Sequence, residues 1–228
     1  MVSACKKNEP ISTPIPDQDP IAHYTFSGNT NDKSKYANHG TAVNAVMAPD
    51  SFGNANSACS FNQSYIEIPD NDILDIDTKK LTISAWFKSN DVSGSYIVHK
   101  ATYVNNGQIT EGGGPYSLDI NPGKARAVLY DSDKYPHILT GTTSIEISMW
   151  QHIALTWDGF NATLYYNGQI EATESFTKQL LETNGNLYIG AYKFVFPTAC
   201  FHGTIDNVRI YNRCLSTAEI QELYSNYK

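Results

Sequence analysis

Three kinds of side chain in this sequence stand where they could do chemistry: clustered carboxylates, histidines among many serines, and aromatic rings in polar loops. The carboxylates gather at Asp70, Asp72, Asp75 and Asp77, with Glu67 just before them. A retaining glycosidase needs two carboxyl groups about 5–5.5 Å apart, and strand alternation supplies such pairs at i and i+2 or i+4. The cluster here runs through Pro69 and Asn71 and contains no Glu, so it reads as a solvated acidic loop. Glu171 and Glu174 follow a hairpin strand and are also expected to be solvated. Six histidines with many serines make chance pairs inevitable, but there is no Gly-x-Ser-x-Gly elbow. His152 lies in an alternating apolar segment, where packing and a hydrogen bond are the expectation. The sequence therefore predicts a protein that is not an enzyme.

The aromatic residues point towards binding. A sugar site combines a ring that stacks on the apolar face of a pyranose with amides and carboxylates for its hydroxyls. Three long loops offer both. Tyr103 and Tyr116 flank the first, Tyr130, Asp131, Tyr135 and His137 make up the second, and Tyr192, Phe194 and Phe196 the third. Loops held by a rigid scaffold are where binding residues concentrate. The competing reading is that these rings fill the core or cap loop bases.

The 228 residues suffice for one large domain with a tail, and 41% hydrophobic content allows a sizeable core. With 16 basic against 23 acidic residues, the net charge of -7 disfavours nucleic acid, whose phosphates need clustered Lys and Arg. No stretch approaches the roughly 20 apolar residues of a membrane-spanning helix. Four cysteines, Cys5, Cys59, Cys200 and Cys214, include no C-x-x-C pair, which argues against zinc and thioredoxin-like chemistry. Leaving Cys5 aside, one disulfide with a free thiol and three separate thiols both remain open.

The positioning elements are strands. Strand segments run at Ile21–Phe26, Ser60–Phe61, Tyr65–Ile68, Leu81–Phe87, Tyr96–Val98, Tyr116–Ile120, Ala125–Tyr130, His152–Trp157, Ala162–Tyr166, Gln169–Ala172, Leu187–Gly190 and Gly203–Tyr211. Asn167-Gly168 between two of them predicts a type I′ hairpin, because both central residues need positive φ. One helix is expected at the C-terminus: Ser216 and Glu219 form a capping box, and Ile220, Leu223, Tyr224 and Tyr227 make an apolar stripe. The expected fold is all-β, a two-sheet antiparallel β-sandwich with a short C-terminal helix, over residues 21–228.

Several of these segments, in this order, resemble the laminin-G-like group of the concanavalin A-like lectin and glucanase jelly rolls. They are His23-Tyr24-Thr25-Phe26 with Asp32 and Asn38-His39-Gly40-Thr41, Leu81 to Phe87, Trp150 to Gly159, Tyr166-Asn167-Gly168, Gly203 to Arg213, and Leu215-Ser216-Thr217-Ala218-Glu219-Ile220. The resemblance implies a structural Ca²⁺ joining the N-terminal loop to the last strand, held by Asp32 and Asp206 with Ser27, Asn29 and Asn38. Calcium takes about six to eight oxygen ligands, and this loop is dense in oxygens. Lys33 and Lys35 depart from the family pattern and would weaken cation binding if they pointed inward. The alternative is that Asp32 and Asp206 only accept hydrogen bonds from turn N–H groups.

Val2-Ser3-Ala4-Cys5 resembles a bacterial lipobox, in which the Cys is lipidated after signal cleavage. Residues 1–20 carry Pro10, Pro14, Pro16 and Pro20 in a polar tract, the composition of a tether. The charged and apolar regions of a signal peptide do not precede the Cys, so a start just before the cleavage point, or a shortened chain, is expected. An incidental Cys near a polar terminus is the other reading. Together these features predict an exported, cell-surface or outer-membrane lipoprotein that meets the membrane only through Cys5. Its expected role is to bind a glycan. A protein-interaction or spacer module is the alternative, and a glycoside hydrolase the third reading.

Overall fold

In the computed structural model, residues 20–101, 114–192 and 199–226 are described. Their strands form two sheets packed face to face. In spatial order, the first sheet runs β13 (Gln169–Ser175), β12 (Asn161–Tyr166), β11 (Trp150–Trp157), β6 (Leu81–Ser89), β15 (Gly203–Tyr211), β4 (Ala58–Phe61) and β3 (Val46–Ala48). The second runs β10 (Pro136–Ser144), β9 (Lys124–Tyr130), β8 (Tyr116–Ile120), β7 (Ser95–Lys100), β14 (Leu187–Ile189), β5 (Tyr65–Ile68) and β2 (Thr41–Val43). A short strand β1 (Ala22–Tyr24) makes the first sheet eight-stranded by pairing with β15. Neighbouring strands such as β6 and β11, or β8 and β9, run antiparallel.

Strand alternation explains the core. On β6, Leu81, Ile83, Ala85 and Phe87 point inward, and Ile153, Leu155 and Trp157 do so on β11. From the facing sheet come Tyr116, Leu118 and Ile120 of β8, Ala127 and Leu129 of β9, and Leu187 and Ile189 of β14. Each fully buried large side chain contributes about 1.5–3 kcal/mol. Strands β1 and β4 divide one edge of β15 between them: β4 pairs with Gly203–Ile205 and β1 with Val208–Ile210. The changeover falls at a bulge where Asn207 has φ +50°.

Helix α1 (Thr217–Ser225) begins at the expected capping box, with Ser216 and Glu219 bonded reciprocally. It covers the outer face of the eight-stranded sheet, where Tyr224 stacks on Trp86 with centroids 5.5 Å apart. Trp86 is thus buried beneath the helix rather than in the central core. Trp157 is central, while Trp150 is half-buried with the Lys88 ammonium 5.5 Å from its ring centre. Asn167 and Gly168 both take positive φ, as the hairpin requires. Among the described residues no helix is long and apolar enough to cross a membrane.

Glu171 and Glu174, expected to be solvated, are engaged. Glu171 Oε2 accepts from the backbone N–H groups of Thr142 and Thr143 at 2.6 and 3.0 Å, and both threonine hydroxyls also donate to this carboxylate. Glu174 meets His137 Nδ1 at 2.8 Å. Both pin β13 to β10, so the edges of the two sheets are tied along one side.

Candidate functional site

The outer face of the seven-stranded sheet carries the most concentrated chemistry, and a bulge in β7 creates it. Tyr96 pairs with Asp119 and Val98 with Leu118, leaving Ile97 as an extra residue. Ile97 and Val98 both enter the core, so Tyr96 and His99, three positions apart, both face outward. Their rings meet edge to face at 5.3 Å. Bulges re-aim side chains in this way. Tyr192, just beyond β14, completes the group, with its ring 5.1 Å from Tyr96 and 4.6 Å from His99.

Strand register brings the polar partners alongside. Tyr96, Asp119, Arg126 and Thr140 lie opposite one another across four strands. His99, Ser117, Val128 and Ile138 form the next row. Arg126 Nε donates to Asp119 Oδ1 at 2.5 Å and the Ser117 hydroxyl to Oδ2 at 3.2 Å. Tyr130 ends β9 on this face, within electrostatic range of the Tyr96 and Tyr192 hydroxyls. Tyr96, Arg126, Tyr130 and Tyr192 are partly exposed, whereas His99 and Asp119 are buried. The result is a shelf of tyrosine rings beside a buried ion pair.

Burial sets the protonation states. It pushes the Asp119 carboxyl up to about 6, against the pull of Arg126. It pushes Tyr96 up to about 12, helped by the Asp119 charge. His99 is driven down to about 3 by burial alone and is neutral; its Nε2 accepts from Gly114 N at 3.2 Å. At neutral pH the shelf therefore offers un-ionised rings and one charge pair, a surface suited to a neutral polyhydroxy ligand.

A family model for the concanavalin A-like lectin/glucanases superfamily, Laminin_G_3, matches residues 60–221. The chain belongs to this family. Solved structures share the Laminin_G_3 fold. Domain 4 of AbnA, a GH43 extracellular arabinanase from Geobacillus stearothermophilus, has TM-score 0.68 at 19% identity, covering 90% of this chain and 98% of that one. The binding domain of Paraclostridial Mosquitocidal Protein 1 has TM-score 0.71 at 16% identity, over 90% of this chain and 51% of that one. The Botulinum Neurotoxin serotype G binding domain has TM-score 0.69 at 17% identity, over 90% and 50% respectively. This chain thus spans nearly all of the arabinanase domain and about half of each toxin binding domain. At these identities the likeness establishes the fold. No curated protein matches the sequence.

Within this Laminin_G_3 domain the residues expected to bind ligand separate into groups. Tyr130 and Tyr192 reach the shelf. Tyr135, in the turn after β9, and His137, at the start of β10, meet each other at 5.5 Å, with Tyr135 64% exposed. Two expectations are corrected. Tyr116 points inward, fully buried, and its hydroxyl donates to Leu74 O at 2.9 Å, because position 116 alternates with outward Ser117. Asp131 is 1% exposed and accepts from the backbone of Asp133 and Tyr135, both at 2.9 Å, and from Lys178 at 3.2 Å, so it builds the turn. Tyr103, Phe194, Phe196 and Cys5 lie outside the described residues. Tyr96, His99, Asp119 and Arg126 were not expected. Asp119 and Arg126 are charged residues at outward positions of adjacent strands, a signal the sequence does carry.

The residues expected to hold calcium make hydrogen bonds where they stand. Asp32 Oδ1 accepts from the N–H groups of His23 and Ser34, both at 2.8 Å, and Oδ2 from the Ser34 hydroxyl at 2.7 Å and Asn38 N at 2.9 Å. Four donors take up the carboxylate's roughly four lone-pair positions. Asn29 Oδ1 accepts from Asn31 N, Asn38 Nδ2 donates to Ile21 O, the Ser27 hydroxyl donates to Thr25 O, and Asp206 Oδ1 accepts from Asn207 N. Among the described residues no group of three or more His, Cys, Asp or Glu could hold a metal. The loop is stapled by the Asp32 carboxylate itself.

Proposed function

We propose that this chain is a non-catalytic glycan-binding module whose ligand lies on the shelf of Tyr96, Tyr130 and Tyr192 beside Asp119 and Arg126. The observation that carries the reading is the ring cluster on a rigid sheet face next to a fixed charge pair. Rings supply stacking surface, and the pair supplies donors and acceptors for hydroxyls. The arabinanase domain was solved in complex with arabinotriose, and a botulinum DC binding domain, about half of which this chain spans, in complex with SialylT, which supports a sugar-binding reading. The lipobox-like Cys5 and the proline-rich tract support a lipid-tethered position on a cell surface.

Catalysis is disfavoured by spacing. Among the described residues, the carboxylates of this face, Glu67 and Asp119, are on β5 and β8, with β14 and β7 between them. Three strand steps put them about 14 Å apart, beyond the roughly 5–9.5 Å of glycosidase pairs. Glu67 Oε1 is held by Asn186 and Tyr188 at 2.8 and 2.9 Å.

A glycan array followed by calorimetry tests the proposal. At least one oligosaccharide is expected to bind, and Tyr96→Ala or Tyr192→Ala to weaken it about tenfold or more, the range for truncating an aromatic anchor. Silence across a broad panel, with capture of a protein partner through the exposed Ile138, would move the assignment to a protein-interaction module.

A further inference from the structure

A cleft of about 520 Å³ opens at the end of the sandwich, between the segment after β5 and the segment before β14. Its size lies within the roughly 300–1,000 Å³ of small-molecule sites. Ile76 and Leu180 give it an apolar floor, and Asp72, Asp75, Asp77 and Glu182 line it. Its walls are already fixed. Gln179 Nε2 bridges them by donating to Ile76 O and Asp77 O at 3.4 and 3.2 Å. Behind the wall, Lys100 is fully buried; its Nζ donates to Gly185 O at 2.7 Å and pairs with Asp70 and, at 3.1 Å, with Asp75. That buried cation is committed to Asp70 and Asp75. Asp72, Asp77 and Glu182 have no ion pair among the described residues. The nearby lysines are occupied: Lys178 pairs with Asp131 and Asp133, and Lys79 donates to Thr177 O.

The chemistry of this space selects its occupant. A metal ion needs ligands converging on one point, and among the described residues no group of three or more His, Cys, Asp or Glu could hold one. Carboxylates spread around a preformed cleft with an apolar floor suit an organic cation, whose ammonium is met by the acids while its carbon body covers Ile76 and Leu180. We propose that this cleft binds a small organic ligand carrying a primary ammonium group, an amino sugar or an aliphatic diamine. The site is separate from the tyrosine shelf and stands without it, although Leu181 N donates to Tyr130 O at 2.8 Å and so joins its wall to the strand that carries Tyr130.

Calorimetry on the full chain tests this with glucosamine oligomers, their N-acetylated counterparts and 1,4-diaminobutane as probes, against wild type, Tyr96→Ala and the exposed double variant Asp77→Asn/Glu182→Gln. The expected result is that an amine probe binds, that the double variant weakens it at least tenfold at unchanged melting temperature, and that Tyr96→Ala leaves it intact. N-acetylation is expected to abolish binding of the sugar probe. Whichever amine binds, sugar or diamine, identifies the source. The proposal is overturned if acetylated sugar binds as well as the amine, if the double variant binds like wild type, if only a divalent cation titrates, or if no amine binds. Loss in Tyr96→Ala alone would place the sugar on the shelf and also overturn the cleft assignment.

Discussion

Asp119 is ionised at neutral pH only because Arg126 opposes the cost of burial, and that balance gives the shelf a pH response. Its carboxyl, ordinarily at 3.8, is raised to about 6. As pH falls through about 6 it takes up a proton and the Arg126 guanidinium loses its countercharge. His99, held neutral down to about 3, does not titrate in this window. Glycan affinity is expected to drop several-fold between pH 7 and 5, and Asp119→Asn to flatten the profile; titration calorimetry across this range reads it directly. The stability effect has the opposite sense. Between about pH 4 and 6 the folded state holds this proton more tightly than the unfolded chain, so the residue's contribution to stability falls as pH rises through that window. Asp32 gives a second prediction. Its carboxylate is buried and accepts four bonds, and a bond to a charged group is worth about 1.5–3 kcal/mol. Asp32→Ala is expected to lower stability by about 2–4 kcal/mol in denaturant unfolding. A chelator is expected to leave the melting curve of the wild type unmoved, and a clear drop on chelation would restore the calcium reading.

At the scale of elements, the pin between β10 and β13 carries the clearest consequence. Burial pushes the Glu171 carboxyl up, but the donors on Thr143 and Thr142 together hold it down at about 2, against an ordinary 4.5. Its contribution is therefore present above about pH 4.5 and is lost as pH falls towards 2. Glu171→Gln is expected to cost about 1 kcal/mol after allowing for solvent screening, a fall in Tm of about 3 °C near neutrality, with a smaller difference from wild type in acid melts. Strands with strict alternation, such as β6 and β11, were legible from their residues, as were the Asn167-Gly168 turn and the Ser216 capping box. Strand β10 was not. Only Leu139 and Gly141 are buried along it, so no alternating apolar signal marks it, and its stability comes from β9 and from Glu171. The β7 bulge was equally hidden, since an extra residue is defined only against the strand opposite.

For the whole molecule, two sheets, one covering helix and tied edges make the sandwich. Cys59 and Cys214 are free thiols. Burial, followed by the Asp206 charge, pushes the Cys59 thiol up to about 12, which keeps it unreactive. A reductant is accordingly expected to leave Tm unchanged, and a fall of several degrees would reveal a disulfide. What the sequence by itself determined was which residues of each strand share a face, where the hairpin turns and where the helix starts, because these depend on neighbours within a few positions. Which outward faces meet was decided only by the tertiary structure. Tyr96 touches Tyr192, and Asp119 is locked to Arg126 beneath the same shelf, through strand register across the sheet and the bulge at Ile97. Such pairings depend on the strand opposite, which periodicity along one strand does not encode. The tyrosines of the proposed shelf are therefore brought together by long-range pairing rather than within any one polar loop.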